Sequence, residues 1–473
     1  PAAPAAPAAP AAAARFFHLV MAEGSGVKEA DPVRGIALPP RVSDSLPIVN
    51  RTPLAAFTVP WQLRPPIASR TVVVKGTFDL VQGGPARLRE EGDVPLGDRH
   101  AGDDPARALV YPSDVTVFKA KADVTVSGHA HAIGGPVPVM QVALRLGKAP
   151  HRIERVVAVI GDRIWIPGVV TPVPMPSKPQ PFQRMPLDVE RAFGGPGSAE
   201  NPLGRGLGAP TRDGQPVALP NLEDPRRPVI RPEDVPPPIA LGPVPPGFPQ
   251  RASKLGTFDA RWLSTRWPYF PEDLDPAALQ HAPPEQQLDA LAGDEPFELV
   301  GMHPEHPTLR GTLPGVRPRC FAQHTAAAGG ALREVLLRLD TVHLEPEALK
   351  LTLVWRGVLE VQDDEASELA ELFVMLEERG AKPADDEEVL GRYQAARLPL
   401  AAVAQEPDAP GPANDTGKSG TRDPRAAAVR DRLAAAGIMP AAVAAGAPLP
   451  PGAGGVSSAE SAAGAGAGAA GAA

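Results

Sequence analysis

The stretch Leu349-Lys-Leu-Thr-Leu-Val-Trp-Arg356 decides the fold class of this chain. Apolar and polar side chains alternate along it, and Val354 is the exception. The apolar face holds Leu349, Leu351, Leu353 and Trp355, and the polar face holds Lys350, Thr352 and Arg356. A period of two residues with one apolar face is typical of a half-buried antiparallel strand.

A second apolar stretch precedes this strand and completes a hairpin. Glu334–Glu345 forms one arm, Pro346-Glu-Ala348 supplies the turn, and Leu349–Arg356 forms the other arm. Proline and glycine next to apolar stretches are the usual punctuation of strands and turns. Further strands are predicted at Thr71–Leu80, Val139–Leu146 and His151–Ile160.

Proline and glycine also limit the architecture of the whole chain. The sequence has 62 Pro and 46 Gly among 473 residues. Long regular elements do not accommodate so many helix and strand breakers, which excludes a helical bundle, a coiled coil and a regular parallel α/β enzyme. The sequence therefore predicts a mostly β, β-sandwich-like fold with antiparallel sheets, long loops, few short helices and disordered N- and C-terminal tails.

One helix is predicted near the end of the folded region. Leu369, Leu372, Phe373 and Leu376 have the i, i+3, i+4, i+7 spacing of a helix face, and Gly380 follows as an end signal. We expect this terminal helix to pack on the β core.

A shorter helix is predicted from Asp259 to Trp267. Its apolar side chains Trp262, Leu263 and Trp267 would point inward, and Pro268 would end it.

Composition divides the chain into four regions. Residues 1–43 begin as a low-complexity Pro/Ala tail, and residues 381–473 form an Ala/Gly/Pro-rich tail predicted to be disordered. The proline-rich segment from Pro232 onward marks a boundary between two β-rich lobes. These lobes are predicted at residues 44–231 and at residues 232–380, the second with the terminal helix.

Charge and cysteine content exclude several classes of function. The formal net charge is -8, which argues against a nucleic-acid-binding groove, since such grooves need clustered positive charge. Cys320 is the single cysteine, so disulfides and thiolate zinc clusters are excluded. The apolar stretch Phe16–Ala22 is too short to span a membrane and is interrupted by His18. A cytoplasmic protein without membrane association is therefore expected.

Two histidine pairs are candidate metal ligands. His129 and His131 follow a predicted strand, and residues two apart on a strand face the same way. The pair needs a third ligand, and neither Asp114 nor Asp123 has a diagnostic spacing. A metal-dependent hydrolase that uses His129 and His131 stays open as the alternative function, beside a purely structural role at a strand end. The prolines around His303-Pro-Glu-His306 exclude the helical zinc motif of metalloproteases.

Paired carboxylates and nucleophile motifs give no catalytic constellation. Asp188 with Glu190, and Glu223 with Asp224, stand next to arginines and are predicted to form structural ion pairs. The sequence contains no G-x-S-x-G, no P-loop and no G-x-G-x-x-G motif. Shaped loops on a β scaffold without a reactive site favour a binding surface, so no enzyme activity, cofactor or metal is predicted.

The turn motifs, in their order along the chain, resemble a bacterial adaptor family that is catalogued as a domain of unknown function and associated with type VI secretion. The first matching segments are Pro47–Pro53, Val74–Phe78, Gly102–Pro105, Tyr111–Asp114, Gly128–His131, Gly161–Arg163, Pro181–Pro186 and Glu190–Gly195. The others are Asn201–Gly204, Leu219–Pro225, Gly256–Asp259, Arg266–Pro268, Ala282–Gln286, Leu313–Gly315, Leu339–Val342 and Val354–Arg356. The resemblance covers residues 47–357 and neither tail.

This resemblance implies a non-enzymatic adaptor or chaperone in the cytoplasm. Its partners would be a PAAR-like effector or toxin and the VgrG spike protein onto which the effector is loaded. No catalytic residue carries over from the family. Candidate contact residues are Arg191, Phe193, Trp262 and Trp267, because arginine and aromatic side chains are enriched at binding hot spots.

Overall fold

The structure is a computed structural model that describes residues 46–64, 67–89, 94–166, 173–212, 215–267, 269–325, 330–361 and 369–398. The strands, numbered in chain order, are β1 Ile48–Asn50, β2 Ala55–Arg64, β3 Ile67–Asp79, β4 Arg87–Leu88, β5 Arg99–His100, β6 Leu109–Tyr111, β7 Ala122–Val126, β8 His129–His131, β9 Val139–Lys148, β10 His151–Ile160, β11 Trp165–Ile166, β12 Met175–Pro176, β13 Arg184–Pro186, β14 Phe193–Gly194, β15 Arg205–Gly206, β16 Thr211–Arg212, β17 Gln215–Pro216, β18 Leu222–Glu223, β19 Gln287–Leu288, β20 Pro296–Val300, β21 Thr308–Thr312, β22 Arg317–His324, β23 Leu332–Val335, β24 Arg338–Glu345, β25 Lys350–Val361 and β26 Leu369–Glu377. The α-helices are α1 Pro249–Ala252, α2 Ala260–Thr265 and α3 Asp386–Arg397. Short 3-10 turns lie at Ala101–Asp103, Val189–Arg191, Ser253–Leu255, Pro276–Leu279, Pro284–Gln286 and Pro346–Ala348.

Three larger sheets carry the fold, which is mostly β as predicted. The seven-stranded sheet has the order β19-β7-β24-β25-β3-β2, with β4 added to β3. The five-stranded sheet has the order β18-β10-β9-β20-β21, and the four-stranded sheet has the order β1-β26-β22-β23. All strand pairs in the five-stranded sheet are antiparallel, whereas β24 with β7 and β1 with β26 are parallel.

One large apolar core is shared by these sheets. Val72, Val74 and Phe78 of β3 point into the same buried cluster as Leu144 of β9 and Leu372 of β26. The alternation of side chains along each strand sends every second residue into this core. The seven-stranded and five-stranded sheets therefore bury a common apolar interior, in the manner of a sandwich.

The hairpin predicted from the opening stretch is present, with two differences. β24 pairs antiparallel with β25, and Pro346–Ala348 forms the turn. The first predicted arm is divided, because Leu332–Val335 is β23 of the four-stranded sheet. The prediction of a half-buried strand is wrong: Thr352 is 1% exposed and Arg356 is 5% exposed. Residues 114–119 and the segment around Leu279 cover this face of the seven-stranded sheet. Val117 and Leu279 join Val354 there in a second apolar cluster.

The predicted terminal helix is a strand. Residues 369–377 form β26, which pairs along β22. Leu372 and Val374 face the main core, and Phe373 and Met375 face a separate cluster with Val389 and Tyr393 of α3. This helix lies among residues predicted to form a disordered tail. A strand buried on both faces is apolar at successive positions, and such a run also contains the spacing of a helix face.

Helix α3 closes this end of the molecule. Asp385 caps its first turn by accepting a hydrogen bond from the backbone N–H of Glu388. Arg51, directly after β1, donates to the carbonyl oxygens of Ala396 at 2.9 Å and Leu398 at 3.2 Å. A cation at the helix C-terminus satisfies carbonyls that have no partner within the helix.

The predicted boundary between residues 231 and 232 does not separate two lobes. β3 and β7 precede it, and β24 and β25 follow it, yet all four lie in the seven-stranded sheet. The parts of the two tails at residues 1–45 and 399–473 lie outside the described residues.

Charged side chains cross the outer surface of the five-stranded sheet in register. Glu154 of β10, Arg145 of β9 and Glu298 of β20 lie opposite one another, and Arg310 of β21 follows. Arg145 ion-pairs with both glutamates, and Arg310 Nε lies 2.5 Å from Glu298 Oε2. Opposite charges at facing positions stabilise neighbouring strands modestly, since the pairs are exposed to water.

Candidate functional site

An exposed apolar surface lies on the small antiparallel ribbon of β11 and β12. Ile166 pairs with Met175 across the ribbon. Nearby, the N–H of Ser177 donates to the carbonyl oxygen of Ile164, and the N–H of Ile164 donates to Ser177 Oγ. Alternation places Ile164, Ile166, Val173 and Met175 on the outward side, which we call the ribbon face. Ile164 is 40% exposed, Val173 is 52% exposed and Met175 is 46% exposed. Clustered exposed apolar side chains mark interaction sites in soluble proteins.

The opposite side of the ribbon is anchored in a small core. Trp165 is 3% exposed and packs with Phe193, Leu219 and Val229. The expectation that Phe193 is an exposed contact residue is therefore corrected, because its ring is 5% exposed beneath the ribbon. A buried aromatic anchor holds the ribbon in place and leaves its apolar face toward solvent.

Arg191 lies beside the first strand of the ribbon. Its Nη1 donates to Asn221 Oδ1 at 3.3 Å and lies 3.5 Å from Asp162 Oδ1. Arg205 Nη1 donates to the same Asn221 oxygen at 3.2 Å. Sequence reasoning singled out Arg191 and missed Arg205, which is fourteen positions further along the chain and gives no local signal for this pairing.

The two predicted tryptophan contacts lie at helix α2. Asp259 caps this helix, and Trp262 Nε1 donates to the carbonyl oxygen of Tyr269 at 2.8 Å. Trp262 and Trp267 are half-buried, but Leu263 is 49% exposed, so the inward packing predicted for Leu263 is wrong. The predicted end signal, Pro268, lies outside the described residues. These tryptophans stay candidate contact residues.

The two histidines of β8 lie in a surface cluster with a glutamate and an arginine. Glu347, in the turn after β24, accepts from Arg184 of β13 through Nε at 3.1 Å and Nη2 at 3.1 Å. His131 Nε2 donates to Glu347 Oε1. His129 Nδ1 lies 2.9 Å from Arg184 Nη2 and 3.2 Å from Glu347 Oε2, so a neutral His129 accepts from the guanidinium.

The electrostatics of this histidine cluster favour a structural role, in which Glu347 joins the turn after β24 to β8 and β13. Burial first, and the charge of Arg184, lower the pKa of His129. Burial pushes the pKa of Glu347 upward, but the hydrogen bonds from Arg184 and His131 outweigh it and lower the pKa. Both carboxylate oxygens of Glu347 already accept hydrogen bonds, which leaves this carboxylate little basicity for abstracting a proton. Within the described ranges, no group of three or more His, Cys, Asp and Glu side chains is arranged to hold a metal ion.

Replacing Glu347 with Gln is expected to lower the free energy of unfolding by about 1 kcal/mol at pH 7, a small value because the side chain is partly solvated. Since the folded-state pKa is lowered, this stability is present above the unfolded pKa of about 4.3 and is lost as the pH falls through the folded value. Urea unfolding at pH 7 and pH 3 measures both effects. Glu305→Gln, an exposed loop change, is the matched control. Equal losses of unfolding free energy at the two pH values would contradict this structural role of Glu347.

The second histidine pair forms a turn. His303 Nδ1 accepts from the backbone N–H groups of Glu305 and His306, each at 3.0 Å. The two imidazole rings stack with their centroids 4.6 Å apart. This hydrogen bonding occupies one ring nitrogen of His303 in local structure.

The predicted ion pairing holds for one member of each carboxylate pair, Glu190 and Glu223, and their partners are arginines distant in the sequence rather than the adjacent ones. Glu190 is held bidentately by Arg107, at 3.0 Å and 2.8 Å. Glu223 pairs with Arg163 at 2.5 Å, and both side chains are buried. Asp188 caps the Val189–Arg191 turn. Glu190 also accepts from the N–H of Ala108, and Glu223 accepts from the N–H of Val229, so these carboxylates order the backbone of neighbouring loops.

A buried ionic network covers the second face of the seven-stranded sheet, and sequence reasoning missed it. Its ion pairs are Lys75–Asp114 at 2.6 Å, Lys119–Asp123 at 2.7 Å and Arg356–Asp340. Burial strongly lowers the pKa of His281, and burial lowers the pKa of His343 to about 4. Every charged member is paired, so the network balances its own buried charges and offers no free reactive group.

Comparisons with known proteins give a match to a family model. Among the residues that the structure describes, no helix combines the length and apolar character needed to cross a membrane. No curated protein and no solved structure matches the chain. A sequence profile described as "Uncharacterized protein conserved in bacteria (DUF2169)" matches residues 68–356, which contain the ribbon, the histidine cluster and the buried network. Because this match spans more than half of the sequence, the chain belongs to the bacterial family DUF2169.

Proposed function

We propose that this chain is a non-enzymatic cytoplasmic adaptor that binds a PAAR-like effector of a type VI secretion system and loads it onto the VgrG spike. The ribbon face carries the proposal. Ile164, Val173 and Met175 present apolar surface to solvent on a ribbon whose other side is locked by Trp165. Apolar surface of this kind gains free energy when a partner covers it, at about 25 cal/mol per Å².

The rigidity of the ribbon supports a binding role. Ser177 Oγ accepts from the N–H of Ile164, and the N–H of Ser177 donates to the carbonyl oxygen of Ile164. On the other side of β11, the N–H of Trp165 donates to the carbonyl oxygen of Val217. A surface that is already ordered loses less conformational entropy on binding.

Met175→Glu is expected to reduce effector and spike recovery at least tenfold, because binding would then desolvate a charge. The tagged chain is expressed in its native bacterium, and the proteins that co-purify are identified by mass spectrometry. The wild-type chain should recover a VgrG spike protein together with a PAAR-like toxin.

Leu96→Glu is the matched control, because Leu96 is 68% exposed and lies outside the ribbon. This variant should recover both partners as the wild type does. Failure of the wild-type chain to recover either protein, in cells that express both partners, would overturn the adaptor proposal. Equal recovery by Met175→Glu would overturn the role of the ribbon face.

The alternative function, a metal-dependent hydrolase, would use His129 and His131, which lie next to Glu347, and His131 donates a hydrogen bond to this carboxylate. The engagement of Glu347 by Arg184 weighs against it, since a metal ligand or general base needs a free oxygen. Zinc titration separates the two functions. Stoichiometric zinc binding that is lost in His129→Ala would favour the hydrolase.

A further inference from the structure

Arg191 and Arg205 hold two positive charges next to each other at one end of the ribbon face. Arg191 ends the Val189–Arg191 turn, and Arg205 begins β15. Both guanidinium groups donate through Nη1 to the single amide oxygen of Asn221, so they are neighbours. Their side chains are 28% and 27% exposed. Like charges at this separation repel, which favours an anion between them.

The anion that the chain itself supplies, Asp162, is held by Asn221 rather than by the arginines, since its Oδ1 accepts from Asn221 Nδ2 at 3.0 Å. Asp162 Oδ1 lies 3.5 Å from Arg191 Nη1 and 3.8 Å from Arg205 Nη1, whereas a charge-assisted hydrogen bond is about 2.7–2.9 Å long. The Asp162 side chain is 67% exposed. Burial, and then the charge of Arg191, lower the pKa of Arg205. One distant carboxylate therefore leaves the two guanidinium groups under-neutralised.

The other carboxylates near the pair have partners of their own. Glu190 is bound by Arg107, and Asp188 accepts from the N–H of Glu190. Nε and Nη2 of Arg191, and Nη2 of Arg205, donate no hydrogen bond to any residue that the structure describes. These donors are available to an incoming oxyanion.

The surroundings fix the arginine pair before any ligand arrives. Asn221 is fully buried, and its Nδ2 donates to the carbonyl oxygen of Ile160 at 2.9 Å. Arg205 Nε donates to the carbonyl oxygen of Glu190 at 3.1 Å. The N–H of Asn221 donates to the carbonyl oxygen of Arg191 at 2.8 Å. Prepositioned donors bind an oxyanion with little loss of side-chain freedom.

The arginine pair is continuous with the ribbon face. Side chains alternate between buried and exposed over residues 161–165, and Ile166 is half-buried. Alternation therefore places Asp162, Ile164 and Ile166 on the same side. We propose that Arg191 and Arg205 bind a carboxylate of an extended partner segment whose next apolar side chains lie on Ile164 and Met175. This inference rests on the proposed function only for the identity of the partner.

Two labelled peptides test the carboxylate site directly. Glu-Ser-Val-Ser-Val-Ser places its carboxylate and both valines on one face when extended, and Gln-Ser-Val-Ser-Val-Ser is the uncharged match. Fluorescence anisotropy at low ionic strength gives both dissociation constants. We expect the Glu peptide to bind about tenfold more tightly, and Arg191→Gln or Arg205→Gln to abolish this preference.

Asp162→Asn separates a binding site from a structural ion pair. The variant removes the competing charge, so the Glu peptide should bind about fivefold more tightly than to the wild type. Arg152→Gln, an exposed arginine at Glu154, should leave binding unchanged. Weaker binding by Asp162→Asn, equal binding of the two peptides or no binding by the wild type would overturn the carboxylate site. These peptides involve no effector, so such a failure leaves the effector-capture experiment to decide the adaptor function separately.

Discussion

Replacing Arg356 with Met is expected to lower the free energy of unfolding by about 3–5 kcal/mol, because it leaves buried acceptors and a buried carboxylate without their partner. Arg356 donates to Asp340, to the carbonyl oxygen of Thr116 at 3.0 Å and to the carbonyl oxygen of Asp114 at 2.9 Å. Burial raises the pKa of Asp340 even with Arg356 present. Guanidinium chloride unfolding measures the loss.

Two companion variants make the result specific. Arg310→Met removes an arginine that is 67% exposed at Glu298, and should cost less than about 1 kcal/mol. Adding Asp340→Asn to Arg356→Met removes the stranded charge and should restore about 1–2 kcal/mol. A loss at Arg356 no larger than the loss at Arg310 would show that the buried network contributes nothing beyond ordinary surface pairing.

Acid is expected to destabilise the protein well above the range in which carboxylates protonate. His343 is 1% exposed, and burial lowers its pKa to about 4 in the folded chain. Between about pH 6.5 and pH 4 the unfolded chain therefore binds a proton that the folded chain excludes. The stability that neutral His343 contributes is present above pH 6.5 and is lost as the pH falls, in total about 3 kcal/mol.

The variant His343→Gln removes this proton uptake. Its free energy of unfolding should fall less steeply between pH 7 and pH 4.5 than that of the wild type, although His281 keeps part of the slope. His151→Gln changes an exposed histidine and should follow the wild-type curve. Parallel curves for the wild type and His343→Gln would show that His343 does not titrate between the two states.

Local patterns in the sequence are sufficient for much of the fold. The hairpin of β9 and β10 follows from its alternation and from Gly147, whose backbone has a φ of 94° and whose added Cβ would lie 2.5 Å from the carbonyl oxygen of His151. The polar face of β25 is different. Arg356 and Asp114 are 242 residues apart, and no local pattern shows that residues 114–119 cover this face.

The candidate sites divide in the same way. Alternation along β8 predicts that His129 and His131 share a side, but Glu347 and Arg184 come from distant segments. The ribbon gives no strand signal in the sequence, because the prolines around Val173 and Met175 hide their alternation. Arg191 is a candidate from the sequence because arginine is enriched at binding sites. Arg205 can be recognised only in the structure, where both arginines donate to Asn221.

The helix α3 that Arg51 fastens to the first strand has a practical consequence for recombinant fragments. The family match spans residues 68–356, but Phe321 inside it packs on Phe373 and Tyr393 outside it. A fragment cut at the family limits would uncover this aromatic surface and the edge of β22, and it would lack β2 and β26. Exposed strand edges and bare aromatic surface promote aggregation. Expression and crystallisation trials should therefore start from residues 46–398.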